Sequence, residues 1–471
     1  MSLLPNSLVK SSLSAHSWLG LSVAAVLYLV CLSGTLAVFY LDMERWEQPR
    51  AEEYRTFDPE VMEVAFNDYL RTTDLTPHMY MVFPSAEIPR IKFASEESGV
   101  YINQDGSTGN PALDDWSHLL TDLHINLHLP SSVGIILVSM SGVMLLALII
   151  SGLLAHPSLF RDAFSWRRGS RRTGITDLHN RLSVWGLPFH LMIAITGAYF
   201  GLVGLIIVIA AQAFYGGDRQ ALVEQFFAGD PQVEEQPAEV NITAALEYIR
   251  ADMPQGIPLF LTLHDMDTDQ RFQEYYIENP RSLVYSENYR FDMAGNFIER
   301  IHSSEADVPQ RVLRSVYRLH FGDFGGLGTK FLYLLLGLAL TVSCASGIQI
   351  WLERRRYYGF PDRAWSAIVW GAPLALACVA LAGTVAGVTS VSMFWGVLCA
   401  AVLASALPMQ ARQFRLLLTG LLLAAVLLLP LAHSVRFGLE PAMTAGGFIN
   451  AMLLATAVLL GIRLISSWQN R

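Results

Sequence analysis

Charged residues are scarce in this chain of 471 residues: they make up 15% of the sequence, whereas 52% of it is apolar. Soluble domains carry nearer a quarter charged residues, so this composition argues against a soluble enzyme and is typical of membrane proteins. Cysteines are few as well, and none forms a CxxC pair. All four fall inside apolar runs, which argues against iron–sulfur clusters and structural zinc sites; they are Cys31, Cys344, Cys378 and Cys399.

Motifs of soluble catalysis are also missing. The sequence has no strand-linked GxGxxG for a dinucleotide and no GxxxxGK[ST] for a nucleotide phosphate. It has no HExxH or GxSxG element of a hydrolase either. We expect no nucleic-acid partner. If the protein performs redox chemistry, its electrons must come from a partner reductase or from membrane quinol.

Long apolar runs are what the sequence does contain. A bilayer crossing needs about 20 apolar residues, and the runs predict about eight transmembrane helices embedded in membrane lipid. The first run is longer than a signal-peptide core and lacks a convincing cleavage site, so we interpret it as a retained anchor. One run, Trp365–Pro408, is long enough for two helices, with a break near Gly387–Ser392.

Arginine placement predicts the orientation. Basic residues cluster in the loop Pro157–Leu178, after the fourth run and after the sixth, and the positive-inside rule makes these ends cytoplasmic. They are Arg161, Arg167, Arg168, Arg171, Arg172, Arg354, Arg355, Arg356, Arg412 and Arg415. The two long polar segments then lie outside. Asp42–Pro130 has 17 acidic and 6 basic residues, and Ala213–Gly325 has 19 and 9. This predicts a bacterial inner-membrane protein with a cytoplasmic N-terminus and two periplasmic segments.

The sequence repeats one plan twice: a helix, an outer segment and a second helix. In both halves, 18 residues separate a histidine from a glycine that follows Ser or Thr: His16 to Gly34, and His179 to Gly197. Each outer segment ends in a similar motif, LHLP at Leu127–Pro130 and LHFG at Leu319–Gly322. The helices that follow both contain Ser-Gly, at Ser151-Gly152 and Ser346-Gly347. The ordered set indicates an internal duplication.

The predicted fold is therefore an all-α polytopic membrane bundle with two small periplasmic α+β modules. Helical periodicity followed by strand-like alternation and turn signals supports the modules, for example the hairpin around Ala294-Gly295-Asn296. The predicted domains are residues 1–41 (helix 1), 42–130 (module 1), 131–156 (helix 2), 157–178 (cytoplasmic loop), 179–212 (helix 3), 213–325 (module 2), 326–356 (helix 4) and 357–471 (four appended helices).

Histidines mark two depths of this bundle. His16 and His179 lie at the inner helix ends, whereas His124, His128 and His320 lie near the outer face. Haem b is commonly held by one or two axial imidazoles between apolar walls. We predict two haems, an inner one between His16 and His179 and an outer one between His128 (or His124) and His320.

A single interfacial histidine is more often a polar anchor than a ligand, so the prediction depends on the repeated, ordered set. His190 lies eleven residues after His179, about 16 Å and three turns along one helix, so both imidazoles should face the same way. It could bind a haem at mid-depth, relay protons or bond to a neighbouring helix. The appended helices contain a single histidine, His433, and the sequence predicts no chemistry for them.

These motifs resemble the PepSY-associated transmembrane family, which includes bacterial inner-membrane ferric-siderophore reductases and iron-uptake proteins. The resemblance covers about residues 10–360. Its elements are His16-Ser17-Trp18-Leu19-Gly20, Leu178-His179-Asn180-Arg181-Leu182, Trp185-Gly186, Thr196-Gly197, Leu319-His320-Phe321-Gly322, Gly325-Gly326, and Ser346-Gly347 with Trp351 and Arg354-Arg355-Arg356. The resemblance implies PepSY-type outer modules and a b-type cytochrome that carries electrons outward to reduce a ferric siderophore or other Fe(III) chelate.

Two other functions fit the sequence. In the first, the outer modules bind or inhibit a periplasmic partner and the histidines are structural. In the second, the helices form the path of an iron or chelate transporter. A red preparation with a reducible Soret band would favour the cytochrome, colourless protein the binding module, and chelate uptake without reductant the transporter.

Overall fold

The computed structural model describes residues 4–113, 115–164, 171–226 and 229–469. Two arginines of the predicted basic loop, Arg167 and Arg168, lie outside these residues. The chain forms two compact units. We call the first the helical unit; it comprises Met1–Pro49, Asp114–Val203 and Gly325–Arg471. The second, the sheet unit, comprises Arg50–Leu113 and Gly204–Phe324.

The helices are numbered in chain order. They are α1 (Asn6–Ala37), α2 (Tyr40–Glu47), α3 (Pro59–Thr72), α4 (Asp115–Ile125), α5 (Ser131–Ala155), α6 (Leu159–Asp162), α7 (Arg171–Trp185), α8 (Leu187–Phe214), α9 (Arg219–Phe226), α10 (Ile242–Asp252), α11 (Val308–Phe321), α12 (Gly326–Arg355), α13 (Phe360–Ala386), α14 (Val391–Ala404), α15 (Ala411–Phe437), α16 (Leu439–Met443) and α17 (Gly447–Gln469).

Seven helices among the described residues are long and apolar enough to cross a membrane: α1, α5, α8, α12, α13, α15 and α17. The chain is therefore a multi-pass membrane protein. The sequence predicts about eight spans, and the difference lies in the long run Trp365–Pro408. It divides at Gly387, as predicted, where φ is +67°. Its second part, α14, has only 14 residues, about 21 Å, which is shorter than the roughly 30 Å of a hydrocarbon core.

The predicted third span is interrupted. Instead of one continuous helix, α7 ends at Trp185 and α8 begins at Leu187, with Gly186 as a turn between them. The glycine is required sterically, because a Cβ there would collide with the imidazole of His190. Despite the break, His179 and His190 both face α12, where they contact Ser343 and Leu336. Both imidazoles therefore face the same way, as predicted. The prediction assumed one continuous helix, whereas the two histidines lie on α7 and α8.

The sheet unit contains eight antiparallel strands in the order β4-β3-β2-β1-β5-β6-β7-β8. They are β1 (Met79–Val82), β2 (Ile91–Ala94), β3 (Gly99–Ile102), β4 (Thr108–Pro111), β5 (Ile257–His264), β6 (Phe272–Glu278), β7 (Glu287–Phe291) and β8 (Phe297–Ile301). Each predicted module contributes a four-stranded meander, and β1 pairs with β5, Met81 opposite Leu261. The two segments that the sequence treats as separate modules thus share one sheet and one compact unit.

The two halves of this sheet are built alike. Each is preceded by a helix with a side-chain N-cap: Asp58 accepts from the Glu60 backbone N–H, and Asn241 accepts from that of Ala244. These helices, α3 and α10, bury Phe66 and Leu246 in one core with the inward strand residues. A turn glycine with φ of +84° joins β3 to β4 and β7 to β8, at Gly106 and Gly295. This repetition agrees with the predicted duplication.

The appended helices α13–α17 pack against the rest of the helical unit through buried aromatic side chains. Several of these donate a hydrogen bond to a backbone carbonyl across the contact. Tyr28 Oη donates to Val369 (2.7 Å), Trp116 Nε1 to Leu376 (3.0 Å) and Trp365 Nε1 to Ala345 (3.1 Å). Burying aromatic rings while satisfying their polar atoms makes this a stable internal interface.

Candidate functional site

The imidazole of His16, on α1, faces α5. Its Nδ1 lies 3.0 Å from the carbonyl oxygen of Leu148 and 3.3 Å from Ser151 Oγ. A carbonyl oxygen only accepts, so Nδ1 carries the proton and donates, and the lone pair of the neutral ring is on Nε2. The ring lies over Gly152, where a Cβ would be 3.2 Å from its Cε1. The Ser-Gly pair therefore orients the ring and leaves room for it.

The second half of the duplication repeats this arrangement. His179, on α7, has its Nδ1 3.1 Å from the carbonyl oxygen of Ser343 and 3.1 Å from Ser346 Oγ, both on α12. A Cβ at Gly347 would be 3.5 Å from its Cε1. No described residue hydrogen-bonds to Nε2 of either His16 or His179. Each ring thus has one nitrogen held by backbone and the other available.

The structure brings these two imidazoles together. Their ring centroids are 6.4 Å apart and their planes cross at 76°. Two imidazoles that bind one metal ion from opposite sides have centroids about 6.3 Å apart, because the metal–nitrogen bond is about 2.0 Å and the nitrogen lies about 1.15 Å from its ring centre. With this separation, available Nε2 atoms and backbone-held Nδ1 atoms, His16 and His179 are the residues that would hold a haem here.

His124, at the end of α4, shares this pattern. Its Nδ1 donates to the carbonyl oxygen of Val30 on α1 (2.9 Å). The ring lies against Gly34, where a Cβ would collide with it. Ser33, beside that glycine, donates to Val30 as well (3.2 Å). Three imidazoles therefore each bond to a carbonyl four residues before the glycine of a Ser-Gly pair.

His128, the first choice for the outer ligand, has a different environment. Its Nε2 donates to the carbonyl oxygen of Leu119 at 2.7 Å, and its ring meets Phe394 and Trp395 of α14 edge-on. The buried Nδ1 has no hydrogen-bond partner. Both Leu127 and His128 have positive φ (56° and 58°), a strained conformation for residues other than glycine. Of the two outer candidates in the first half, His124 is the one that matches the inner ligands.

The predicted partner of the outer ligand, His320, belongs to the sheet unit and lies in the last turn of α11. Leu319-His320-Phe321 aligns with Leu123-His124-Ile125, since each histidine is in the final turn of the helix before a spanning helix. The pairing of an outer imidazole with His320 stays a prediction. His190 is buried, and its Nε2 lies 3.4 Å from the carbonyl of Leu336, a long contact.

The repeat of the Ser-Gly pairs is visible in the sequence. That each serine hydroxyl bonds to an inner imidazole and each glycine leaves room for its ring was not predicted. A buried ion pair was not predicted either: Lys330, at the start of α12, lies 3.2 Å from Asp42 Oδ2 on α2. Their side chains are 6% and 9% exposed. The signal was available, because Lys330 is a charged residue at the edge of an apolar run.

Five arginines of the sheet unit are candidates for a basic patch that would bind an anionic chelate: Arg281, Arg290, Arg311, Arg314 and Arg318. Three of them are engaged by other side chains. Arg290 pairs with Glu274 (3.1 Å) and Glu299 (2.9 Å), and Arg318 pairs with Glu278 (2.6 Å). Arg314 donates to Ser303 Oγ. Arg281 and Arg311 are exposed. A continuous basic patch of all five arginines is therefore not formed.

Glu274 is the most saturated carboxylate of the sheet unit. Burial would raise its pKa, but His264 at 3.0 Å, Arg290 and the amide of Asn288 (3.0 Å) together lower the pKa to about 2. Tyr276 Oη also donates to it at 3.1 Å. This carboxylate is charged and fully paired, which is typical of a structural network.

Clusters of three or more potential metal ligands are absent from the described residues. A two-imidazole haem site needs no such cluster. The thiols of Cys31 and Cys344 meet between α1 and α12 with their Sγ atoms 4.0 Å apart, and all four cysteines are free. Cys31, Cys344 and Cys378 are partly buried against the apolar core, whereas Cys399 is exposed.

Comparison with known proteins adds two findings. A family model described as the PepSY-associated TM region matches residues 13–354. The uncharacterized protein PA4219 of Pseudomonas aeruginosa (strain PAO1) is 31% identical over 250 residues, which cover 50% of this chain and 64% of that protein. The match thus spans less than two thirds of this relative. Helices α13–α17 lie beyond the family match.

Proposed function

Because the chain belongs to the PepSY-associated transmembrane family, we propose that it is a b-type cytochrome of the bacterial inner membrane that reduces ferric siderophores or other Fe(III) chelates. One observation carries the proposal: two imidazoles from equivalent positions of a duplicated chain lie 6.4 Å apart, each with Nδ1 bonded to backbone and Nε2 available.

The residues that would hold the inner haem are His16 and His179, through Nε2. Haem supplies one-electron Fe(III)/Fe(II) chemistry, and imidazole ligation with second-shell hydrogen bonds tunes its potential. The carbonyls of Leu148 and Ser343 fix the tautomer and direction of the two rings. Gly152 and Gly347 leave space for them.

A second haem remains part of the proposal. Its ligand from the first half would be His124, which repeats the carbonyl bond and the position against a glycine that the inner pair shows. The part of His320 in this haem stays a prediction from the sequence repeat of LHLP and LHFG. His128, with Nε2 on the Leu119 carbonyl and Nδ1 without a partner, stays the alternative ligand of the first half.

The proposed direction of electron flow is outward. Described arginines at the helix ends, among them Arg161, Arg354 and Arg415, favour a cytoplasmic position for these ends. The sheet unit would then be periplasmic. Outward movement of one electron gains about 2.3 kcal/mol per 100 mV of inside-negative potential. Reduction to Fe(II) weakens binding by hard oxygen donors and releases the metal from its chelate.

The test is the haem content and reductase activity of the purified full-length protein. We expect two b-type haems per chain, a Soret band that shifts on reduction, and oxidation of the reduced protein by a ferric hydroxamate or catecholate chelate. A colourless preparation from cells with ample haem would contradict the proposal and favour a binding module. Haem that is present but is not oxidised by any Fe(III) chelate would contradict the assigned substrate.

A further inference from the structure

A recess opens on the surface of the helical unit between α1 and α5, next to the His16 site. Its volume is about 410 Å³. The side chains that line it are small or aliphatic: Ser11, Ser12, Ala15, Ala147, Ile150, Ser151 and Leu154. Ala15 immediately precedes His16, and Ser151 Oγ is 3.3 Å from His16 Nδ1. The wall of the recess is thus also the hydrogen-bonding partner of a proposed haem ligand.

Each side of the recess carries a hydroxyl. Ser151, on α5, is 9% exposed and donates to the carbonyls of Ala147 and Leu148. Ser12, on α1, is 7% exposed, and no described residue hydrogen-bonds to its hydroxyl. The Ser12 hydroxyl lies in the wall of the recess, where it is available to hydrogen-bond a ligand.

The recess faces the lipid side of the bundle. Ile150, on its rim, is 49% exposed on a helix that crosses the membrane. The duplicated position in the second half is Ala345, because Leu148 corresponds to Ser343 and Ser151 to Ser346. There Trp365 of α13 covers the helix and donates to the Ala345 carbonyl. The appended helices thus cover this face of α12 in the second half, whereas the equivalent face of α5 in the first half is open.

We propose that this recess binds the head group of a membrane quinol, which donates electrons to the His16–His179 site. The inference rests on the proposed function and names its reductant. A quinol fits the recess in three ways. Its ring packs against the small apolar walls, its hydroxyls can hydrogen-bond to Ser12 and Ser151, and its tail extends through the opening into lipid. Each quinol loses two electrons in one-electron steps to two ferric centres. Its two O–H bonds break, the two protons pass to water, and quinone leaves.

Photolabelling tests the site without requiring activity. Full-length protein in lipid nanodiscs is irradiated with an azidoquinone of short tail, and labelled peptides are identified by mass spectrometry. We expect label on residues 11–15 and 147–154. Ala147→Phe, which fills the recess, should lower this labelling at least tenfold, and Val342→Phe, the matched change in the second half, should leave it unchanged. If Ala147→Phe does not fold, Ala15→Leu on the opposite wall replaces it.

A kinetic measurement follows on the same variants. A short-tail quinol should reduce wild type and Val342→Phe at equal rates, and Ala147→Phe at least tenfold more slowly, while dithionite reduces all three fully. Label distributed elsewhere, or unchanged labelling and quinol rates in the filled variants, would overturn the quinol site. A haem-free protein whose recess is still labelled would instead refute the cytochrome and leave the recess assigned as a quinone site.

Discussion

His433, which is buried, and the half-buried His16–His179 pair belong to the same helical unit but differ in their hydrogen bonding. In the appended helices, His433 Nε2 donates to the Trp46 carbonyl (2.7 Å), and its Nδ1 accepts from Asn450 (3.3 Å). Its ring also stacks on Trp46, with centroids 4.7 Å apart. His433 is saturated, whereas the inner pair has one free nitrogen on each ring. The difference separates a structural histidine from a candidate ligand, although both look alike in sequence.

The largest expected effect is on haem binding. His16→Ala or His179→Ala should remove the inner haem and so halve the haem-to-protein ratio, because a ligand bond is lost outright. His433→Ala, the matched control, should keep the wild-type ratio. Pyridine haemochrome analysis against protein mass measures it. Equal haem-to-protein ratios in all three variants would contradict the assignment of His16 and His179 as ligands and of His433 as a structural residue.

The effect on stability should be reversed: His433→Ala should destabilise the protein more than His16→Ala does. His433→Ala leaves the Trp46 carbonyl and the Asn450 amide without their partner, and we expect a loss of about 1–3 kcal/mol of unfolding free energy plus a cavity term. Thermal unfolding in detergent measures it. Haem-free His16→Ala should lose less stability than His433→Ala, because His16 is only half-buried and has protein partners at Nδ1 alone, the Leu148 carbonyl and Ser151 Oγ. A large drop in His16→Ala apoprotein would show that its ring is structural too.

Acid should destabilise the sheet unit through Glu274, which is saturated like His433. Its folded-state pKa of about 2 lies below the ordinary value of 4.5, so the stabilisation is complete above pH 4.5 and is lost as pH falls towards 2. The full contribution is about 3 kcal/mol. Melting temperatures of wild type and Glu274→Gln between pH 5 and 3 measure it. The wild-type value should fall towards the variant's; parallel curves would contradict the depressed pKa.

The smallest effect should come from the serines beside the inner ligands. Ser346→Ala removes one of the two acceptors of His179 Nδ1 but leaves the Ser343 carbonyl. We expect a loss of about tenfold in haem affinity, at the lower end for outer-shell partners. Thr419→Ala, a buried hydroxyl that donates to the Arg415 carbonyl on α15, is the control and should have no effect. Haem transfer to apomyoglobin measures the affinity.

Much of this architecture could be predicted from the sequence, because the relevant signals are local and periodic. Apolar runs locate the spanning helices, and turn glycines such as Gly106 and Gly295 locate the hairpins. The merging of two modules into one sheet could not be predicted, since it depends on pairing β1 with β5 across more than 170 residues. Edge-to-edge pairing leaves no local pattern in either strand.

The site was predictable to the same extent. The duplication put His16 and His179 at equivalent positions, and the structure places their rings together. The choice between His124 and His128 was not predictable, because the two histidines are only four residues apart and the sequence does not show that α4 ends between them. The αL conformation of Leu127 and His128 turns the second ring towards α14, which the sequence could not indicate.

The central claim is that His16 and His179 bind the same iron. Electron paramagnetic resonance of the oxidised protein tests it most directly, because crossed imidazole planes in a low-spin ferric haem produce a strongly anisotropic signal with a large maximum g value. From the interplanar angle of 76° we expect such a signal, absent in both His16→Ala and His179→Ala. A wild-type spectrum with only the rhombic signal of near-parallel ligands, or a signal of large maximum g value that keeps its full intensity in both variants, would contradict the account.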